Sequence, residues 1–192
     1  MLSIERNQFP ERDAEEEAEL IRRTQLDPAA FAELYRRHLG RIYAYLRARV
    51  SCDEDAADLA QQVFLQAFDA LPRYHSRPGL PFSAWLFQIA HNIVIDTYRR
   101  RRSIIPWENL PLDAQPFLDE NPEARLLHLE NLAQLKRNLA RLDPAKRELL
   151  ALRFAAGLTA PQIAEIVGRS PEAVKKDLTR TLHRLKEFYH ER

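Results

Sequence analysis

The sequence predicts an all-α chain: two small helical domains joined by a flexible acidic, proline-containing linker, the second domain a helix-turn-helix. Three observations lead there. Apolar residues recur at helical spacing, and no run alternates with the period of two that a half-buried strand needs. Only four glycines stand against twelve prolines, and the prolines fall where helices start or stop. The net charge of +1 hides four blocks: −5 over residues 1–20, +5 over 21–102, −5 over 103–135 and +6 over 136–192. Two basic blocks separated by an acidic one suggest two surfaces that meet polyanions, with a connector kept off them. The expected boundaries are a tail over 1–12, a first domain over 13–102, a linker over 103–124 and a second domain over 125–192.

In chain order, an acidic helix from about Asp13 to Thr24 turns Leu20 and Ile21 inward. Asp27 followed by Pro28 is an N-cap with proline at the first helical position, opening PAAFAELYRRHLGRIYAYLRARV. Ser51 and Glu54 have capping-box spacing and start a helix that runs to about Ala70, before Pro72. The single cysteine, Cys52, excludes an internal disulfide, fits a reducing cytosol, and reads as a small helix-start residue rather than a redox sensor. Pro81 or Phe82 then opens PFSAWLFQIAHNIVIDTYRRRR, which joins aromatic residues to four consecutive arginines. Aromatic rings capture unstacked bases and clustered guanidinium groups hold phosphates. Taken alone, this helix reads equally well as a core helix that ends in solvated charge.

From Ser103 to Glu123 there is no Lys or Arg, and Pro106, Pro111, Pro116 and Pro122 break any helix. Trp107, Phe117 and several leucines are unusual for an inert tether; they fit either a groove on a partner or packing back onto the chain's own domains. Beyond it, Arg125 to Leu142 places Leu132, Leu135, Leu139 and Leu142 at 3-4-3 spacing, a core stripe rather than a coiled-coil seam because too few heptads follow. Asp143 and Pro144 cap another helix, which ends near Gly157.

Residues 158–189 read LTAPQIAEIVGRSPEAVKKDLTRTLHRLKEFY. Thr159 and Gln162 form a capping box, and Ile163, Ile166 and Val167 make one apolar face. Gly168 supplies the left-handed residue that turns the chain, and Ser170 caps the next helix with Pro171 at its first position. Val174, Leu178, Leu182 and Leu185 face inward, while Lys175, Lys176, Thr179, Arg180 and Arg184 project outward. A short helix, a tight turn and a second helix with a basic outer face is the DNA-reading helix-turn-helix. Its second helix fits a major groove, where Lys and Arg donate to guanine O6 and N7.

The chain now resembles a family over nearly all its length: the bacterial RNA polymerase sigma factors of the minimal, extracytoplasmic-function type in the sigma-70 family. AFAELYRRHLGRIYAYL, DEDAADLAQQVFLQAF and PFSAWLFQIAHNIVIDTYRRRR are similar, in order and spacing, to that family's region 2. LDPAKRELLALRFAAGLTAPQIAEIVGRSPEAVKKDLTRTLHRLK is similar to its region 4. The resemblance implies that the helix Asp53–Phe68 docks on the β′ clamp helices of core polymerase, with Asp55, Asp58, Gln61 and Gln62 facing it. Gln62 stands where the family usually has glutamate. The stretch Arg73 to Pro81 is similar to the loop that receives a flipped base of the −10 element, with Arg73, His75, Arg77 and Asn92 around it. This loop, YHSRPGL, departs from the usual acidic and serine-rich pattern, which implies a changed −10 preference. Phe82 and Trp85 flank the apolar face and read as core. Arg99, Arg100, Arg101 and Arg102 would hold phosphates near −10; Asp96 and Arg100 also stand at pairing distance along the helix. Ser170, Lys175, Lys176, Thr179, Arg180 and Arg184 would meet the −35 element, the rest of region 4 the β-flap, and the linker the channels of the polymerase. Members of the family are commonly held by an anti-sigma factor, and nothing in the sequence identifies one.

The expected function is therefore promoter recognition and melting as a polymerase subunit. The alternative is a classical helix-turn-helix regulator that acts without becoming one. An enzyme is not expected: the six histidines are scattered, with no HExxH, Cys/His cluster, Walker lysine, G-x-S-x-G or Rossmann glycine pattern. No cofactor or metal is expected. Apolar runs are too short for a bilayer and the acidic start lacks a signal-peptide pattern, so a cytoplasmic protein is expected, without a sensor domain after Arg192.

Overall fold

The computed structural model describes residues 11–50, 52–101 and 122–190; the side chains of 11–14, 100, 101, 122–129 and 132 fall outside that description. Among the described residues there are eight α-helices: α1 Glu11–Leu26, α2 Phe31–Arg47, α3 Asp53–Ala70, α4 Phe82–Arg101, α5 Pro122–Ala140, α6 Pro144–Phe154, α7 Ala160–Val167 and α8 Pro171–His190. The only β pairing among them is a single bridge between Arg77 and Leu80. The all-α expectation holds.

Local chemistry sets the helix starts. Asp27 accepts from the Ala29 N–H at 2.9 Å. This cap pins a 3-10 turn, Pro28–Ala30, so α2 proper begins three residues later than the sequence suggests, at Phe31. Cys52 is the N-cap of α3, its Sγ accepting from the Asp55 N–H at 3.4 Å; Ser51, the expected cap, lies outside the described residues. Asp143 caps α6 by accepting from Lys146 N–H at 3.0 Å. The helix expected over Arg125 to Leu142 spans Pro122–Ala140, opening on the proline. Residues 102–121, most of the expected linker, lie outside the described residues.

The first half is built around α3, which packs against both α2 and α4, while α1 lies across α2. Its core joins Leu34, Ile42, Tyr45 and Leu46 of α2 to Ala56, Val63 and Ala67 of α3 and Phe82, Leu86 and Phe87 of α4. The alanines on α3 let two helices approach it closely, since interaxial distance follows side-chain size at the contact. Leu20 and Ile21 of α1 are buried against this bundle, as expected. The second half packs α8 against α5, α6 and α7, with Leu149, Leu152, Ile163 and Val174 in its core. The two halves touch: α7 lies against α4.

Candidate nucleic-acid interface

The helix-turn-helix forms as the caps dictate. Gln162 Oε1 accepts from Thr159 N–H at 2.9 Å, closing the capping box of α7. Gly168 takes φ +65°, a conformation in which any Cβ is strained, and its N–H bonds Ala164 O. Ser170 Oγ accepts from Ala173 N–H at 3.2 Å and starts α8. Val174, Leu178 and Leu185 are buried and Leu182 is half-buried, which turns Lys175, Lys176, Thr179, Arg180 and Arg184 outward. Thr179 spends its hydroxyl on Lys175 O at 3.0 Å, and Arg184 lies 5.6 Å from the Phe188 ring. Lys175, Lys176 and Arg180 are thus the cations best placed to enter a groove. Arg169 and Asp177 pair at 2.7 Å and tie the turn to α8.

The loop between α3 and α4 walls a cavity of about 300 Å³, which α4 and, from the second half, Gln162, Glu165 and Ile166 of α7 close. Gln25 Nε2 anchors the base of this loop by donating to Leu71 O at 3.0 Å and to Tyr74 O at 2.9 Å. Gly79, at φ +78°, lets the loop fold back so that Arg77 and Leu80 bridge. Arg73, His75 and Arg77 are exposed and all line the cavity. Asn92 is exposed but does not line it; Gln88, one helical turn earlier on α4, does. Phe82 is core, as expected, at 2% exposure. Trp85 does two things: it packs on Phe82 with ring centres 5.2 Å apart, and it lines the cavity beside Tyr74 at 4.7 Å. The signal for Trp85 and Gln88 was present in the spacing, since 85 and 88 share one edge of α4 next to the loop. At the far end of α4, Arg99 is exposed; the side chains of Arg100 and Arg101 and all of Arg102 lie outside the described residues.

On α3, Asp58, Gln61 and Gln62 are exposed on one face, and Asp55 is half-buried at its start. The same face continues into Leu65, 63% exposed, and Phe68, 39% exposed, so it is apolar at one end and acidic at the other. Sequence reading placed only the polar part there, although Leu65 and Phe68 continue the helical spacing of Asp58 and Gln61.

Where the halves meet, Glu148 of α6 enters a nearly closed site on the first half. Arg49 Nε and Nη2 donate to its Oε2 at 3.0 and 2.5 Å, Tyr45 Oη donates to its Oε1 at 2.7 Å, and His91 Nδ1 lies 3.0 Å from Oε1. Burial works against the Glu148 charge, but the Arg49 guanidinium and the hydrogen bonds from His91, Tyr45 and Arg49 outweigh it and hold the carboxyl down at about 2. Arg49 itself is 3% exposed, lies over the Tyr45 ring at 3.5 Å, and donates to Tyr45 O. Nothing in local periodicity signals this cluster.

Among the described residues, no three His, Cys, Asp or Glu side chains are grouped to hold a metal, and no helix is long and apolar enough to cross a membrane.

Comparison with known proteins identifies both halves. Residues 34–104 match the family profile of sigma-70 region 2, and residues 138–187 that of sigma-70 region 4. The ECF RNA polymerase sigma factor SigD of Mycobacterium tuberculosis is 37% identical over 152 residues, covering 76% of this chain and 70% of that protein. RNA polymerase sigma factor CnrH of Cupriavidus metallidurans is 32% identical over 163 residues, covering 81% and 84%. The solved structure of CnrH in complex with the cytosolic domain of CnrY superposes with a TM-score of 0.64 at 26% identity, covering 91% of this chain and 97% of that one. The sigma factor RpoE of Bartonella quintana, solved with the anti-sigma factor NepR, shares the fold with a TM-score of 0.63 at 22% identity, covering 84% and 97%. With region 2 and region 4 present in order on one chain, the protein belongs to the sigma-70 family as an extracytoplasmic-function RNA polymerase sigma factor.

Proposed function

We propose that this chain directs core RNA polymerase to its promoters by reading two elements with separate surfaces and adds no catalysis of its own. The observation that carries the reading is the pairing, on one chain, of a helix-turn-helix with a basic outer face and a loop cavity lined by Arg73, Arg77, Tyr74 and Trp85. Lys175, Lys176 and Arg180 on α8 read the −35 element, with Ser170, Thr179 and Arg184 beside the backbone. The loop with Arg73, His75 and Arg77 takes an unpaired base of the −10 element, which stacks on Trp85. Gln88 is the amide nearest that base, and Asn92 meets the strand farther along α4. Arg99 and the three arginines after it hold phosphates. A flipped base costs a few kcal/mol to unstack, so the cavity must return about that much.

Asp55, Asp58, Gln61 and Gln62 face the β′ clamp helices, joined by the apolar end of the same face at Leu65 and Phe68. The remainder of region 4 meets the β-flap. The protein works in the cytoplasm, without membrane insertion, and an anti-sigma factor is a further expected partner, as RpoE has in its solved complex. A regulator that never joins the polymerase would use the region 4 match and leave the region 2 match without a role.

Run-off transcription with purified core polymerase, with and without this chain, tests the reading. Promoter-dependent transcripts are expected only when the chain is present. Tight DNA binding by the chain alone, with no such transcript, would sink it.

A further inference from the structure

We infer that Gln25, in the last turn of α1, is a positioning residue for promoter opening: by holding both ends of the 3-10 turn that begins the loop between α3 and α4, it sets the place of the side chains that take the −10 base. This rests on the proposed role of the loop cavity and brings into it a helix that supplies none of the cavity's lining.

The turn Leu71–Arg73 leads out of α3, and Tyr74 is its cap. Leu71 O accepts from the Tyr74 N–H at 3.0 Å, which closes the turn. The Gln25 amide nitrogen then donates to Leu71 O at 3.0 Å and to Tyr74 O at 2.9 Å, across 46 and 49 residues of chain. An amide nitrogen carries two donors on one planar group, and two carbonyls as neighbours require the nitrogen there rather than the oxygen. The side chains carried by this short stretch, Arg73, Tyr74 and His75, all line the cavity. The Tyr74 ring stands edge-on to Phe82 with centres 5.3 Å apart, and 4.7 Å from the Trp85 ring on which the base would stack. A shift of the Tyr74 backbone therefore displaces the neighbour of Trp85 together with Arg73 and His75.

α1 does not need Gln25 to stay in place. Leu20 and Ile21 are buried in the core, the Thr24 hydroxyl donates to Leu20 O at 2.7 Å, and Glu17 lies 2.9 Å from His38 of α2. Gln25 is itself exposed, so its replacement removes little buried apolar surface. What it adds is a pair of hydrogen bonds that tie a loop to a rigid helix. A loop that is not held must be ordered when the base arrives, and that entropy is then subtracted from binding. Gln25 moves this cost from base capture to folding.

Hydrogen exchange of the full chain, with open-complex formation by the holoenzyme, tests this. Gln25→Glu keeps the shape and sets a carboxylate against two carbonyls, whereas Gln25→Lys keeps N–H donors at similar reach. In Gln25→Glu the Tyr74 and Leu80 amides are expected to exchange about tenfold faster, as the loss of two hydrogen bonds allows, with the amides of α2 and α3 unchanged. Permanganate reactivity should show open complexes forming about tenfold more slowly with Gln25→Glu and within about twofold of the parent with Gln25→Lys. Promoters that each carry an abasic site at one −10 position of the non-template strand separate positioning from general damage. On the template whose missing base slows the parent most, Gln25→Glu should open at the parent's rate, because no base is left to position. Equal slowing on every template, or unchanged exchange at Tyr74, overturns the inference. If Gln25→Glu does not fold, Gln25→Ala, which removes the donors without adding charge, decides by the same outcomes. If the loop loosens and opening slows although no abasic position slows the parent, base capture is the reading that fails, and Gln25 remains the positioning residue of a loop that assists opening in another way.

Discussion

At the scale of single residues, the two proposed DNA surfaces call for different chemistry, and substitutions separate them. Lys175 and Arg180 project from α8 with their Cβ atoms on the outer face. If a side chain there bonds a base edge, its replacement by alanine costs ~1–3 kcal/mol at one −35 position and relaxes specificity there. If it bonds a phosphate, binding weakens equally on all sequences and the salt slope falls by about 1. We expect the first behaviour from Lys175→Ala and Arg180→Ala, scored by holoenzyme binding to a set of −35 variants at several salt concentrations. An unchanged promoter profile removes them from the reading face. Trp85 is tested in the same spirit. Half-buried against Phe82 and open to the loop cavity, it can stack on a captured base, a contact worth ~1–3 kcal/mol elsewhere. Trp85→Ala is expected to slow open-complex formation, read by permanganate reactivity of unpaired thymines, while Trp85→Phe keeps most of the rate. Equal rates for all three chains would return Trp85 to a purely core role.

At the scale of elements, caps were the most legible part of the sequence because they are local. Asp27, Asp143, Thr159 with Gln162, and Ser170 all bond as their spacing suggests. Gly168 belongs to the same class and gives an element-scale test. Its φ of +65° strains any L side chain, although nothing stands within 4 Å of where a Cβ would go. Gly168→Ala should therefore cost about 1 kcal/mol of backbone strain without a clash, lowering the melting temperature of the full chain by about 2–4 °C. Gly168→Asn should recover part of that, since asparagine tolerates the left-handed region; a calorimetric scan of both variants checks it. Other elements were less legible, for physical reasons. Cys52 caps α3 through sulfur, a weak acceptor that cap preferences do not favour. Trp85 was read as core because an aromatic on the edge of an apolar stripe has one face inside and one outside, and periodicity counts only the first. Asn92 was placed beside the loop by analogy of position; it shares the α4 face of Trp85 and Gln88 but stands one turn beyond Gln88, which lines the cavity. The Glu148 site was invisible, because Glu148 stands 57 to 103 residues from the partners it meets and shares no local pattern with them.

At the scale of the whole molecule, the question is whether two domains on one chain can reach two promoter elements. By their names the elements lie about 25 base pairs apart, roughly 85 Å along B-DNA at ~3.4 Å per step. Residues 102–121 number twenty, and twenty residues fully extended span at most ~70 Å. The remainder must come from the domains themselves, whose radii are on the order of 10–13 Å each. The chain therefore has almost no slack when both elements are held, whereas in this structure α7 rests on α4. Deletion and insertion should then be strongly unequal. Removing ten residues between Ser103 and Pro116 takes away ~35 Å of reach, which the domains cannot supply. Adding ten flexible residues raises only the entropy of closing the gap, by a few tenths of a kcal/mol, because that cost grows with the logarithm of length. Run-off transcription is expected to vanish for the deletion and to fall less than twofold for the insertion, with both chains still binding core polymerase. Because an insertion leaves the apolar and acidic residues of the linker in place, a large loss in that variant would mean that their register in the polymerase matters more than reach. A deletion that transcribes as well as the parent would mean that the two elements are not read by one chain at once.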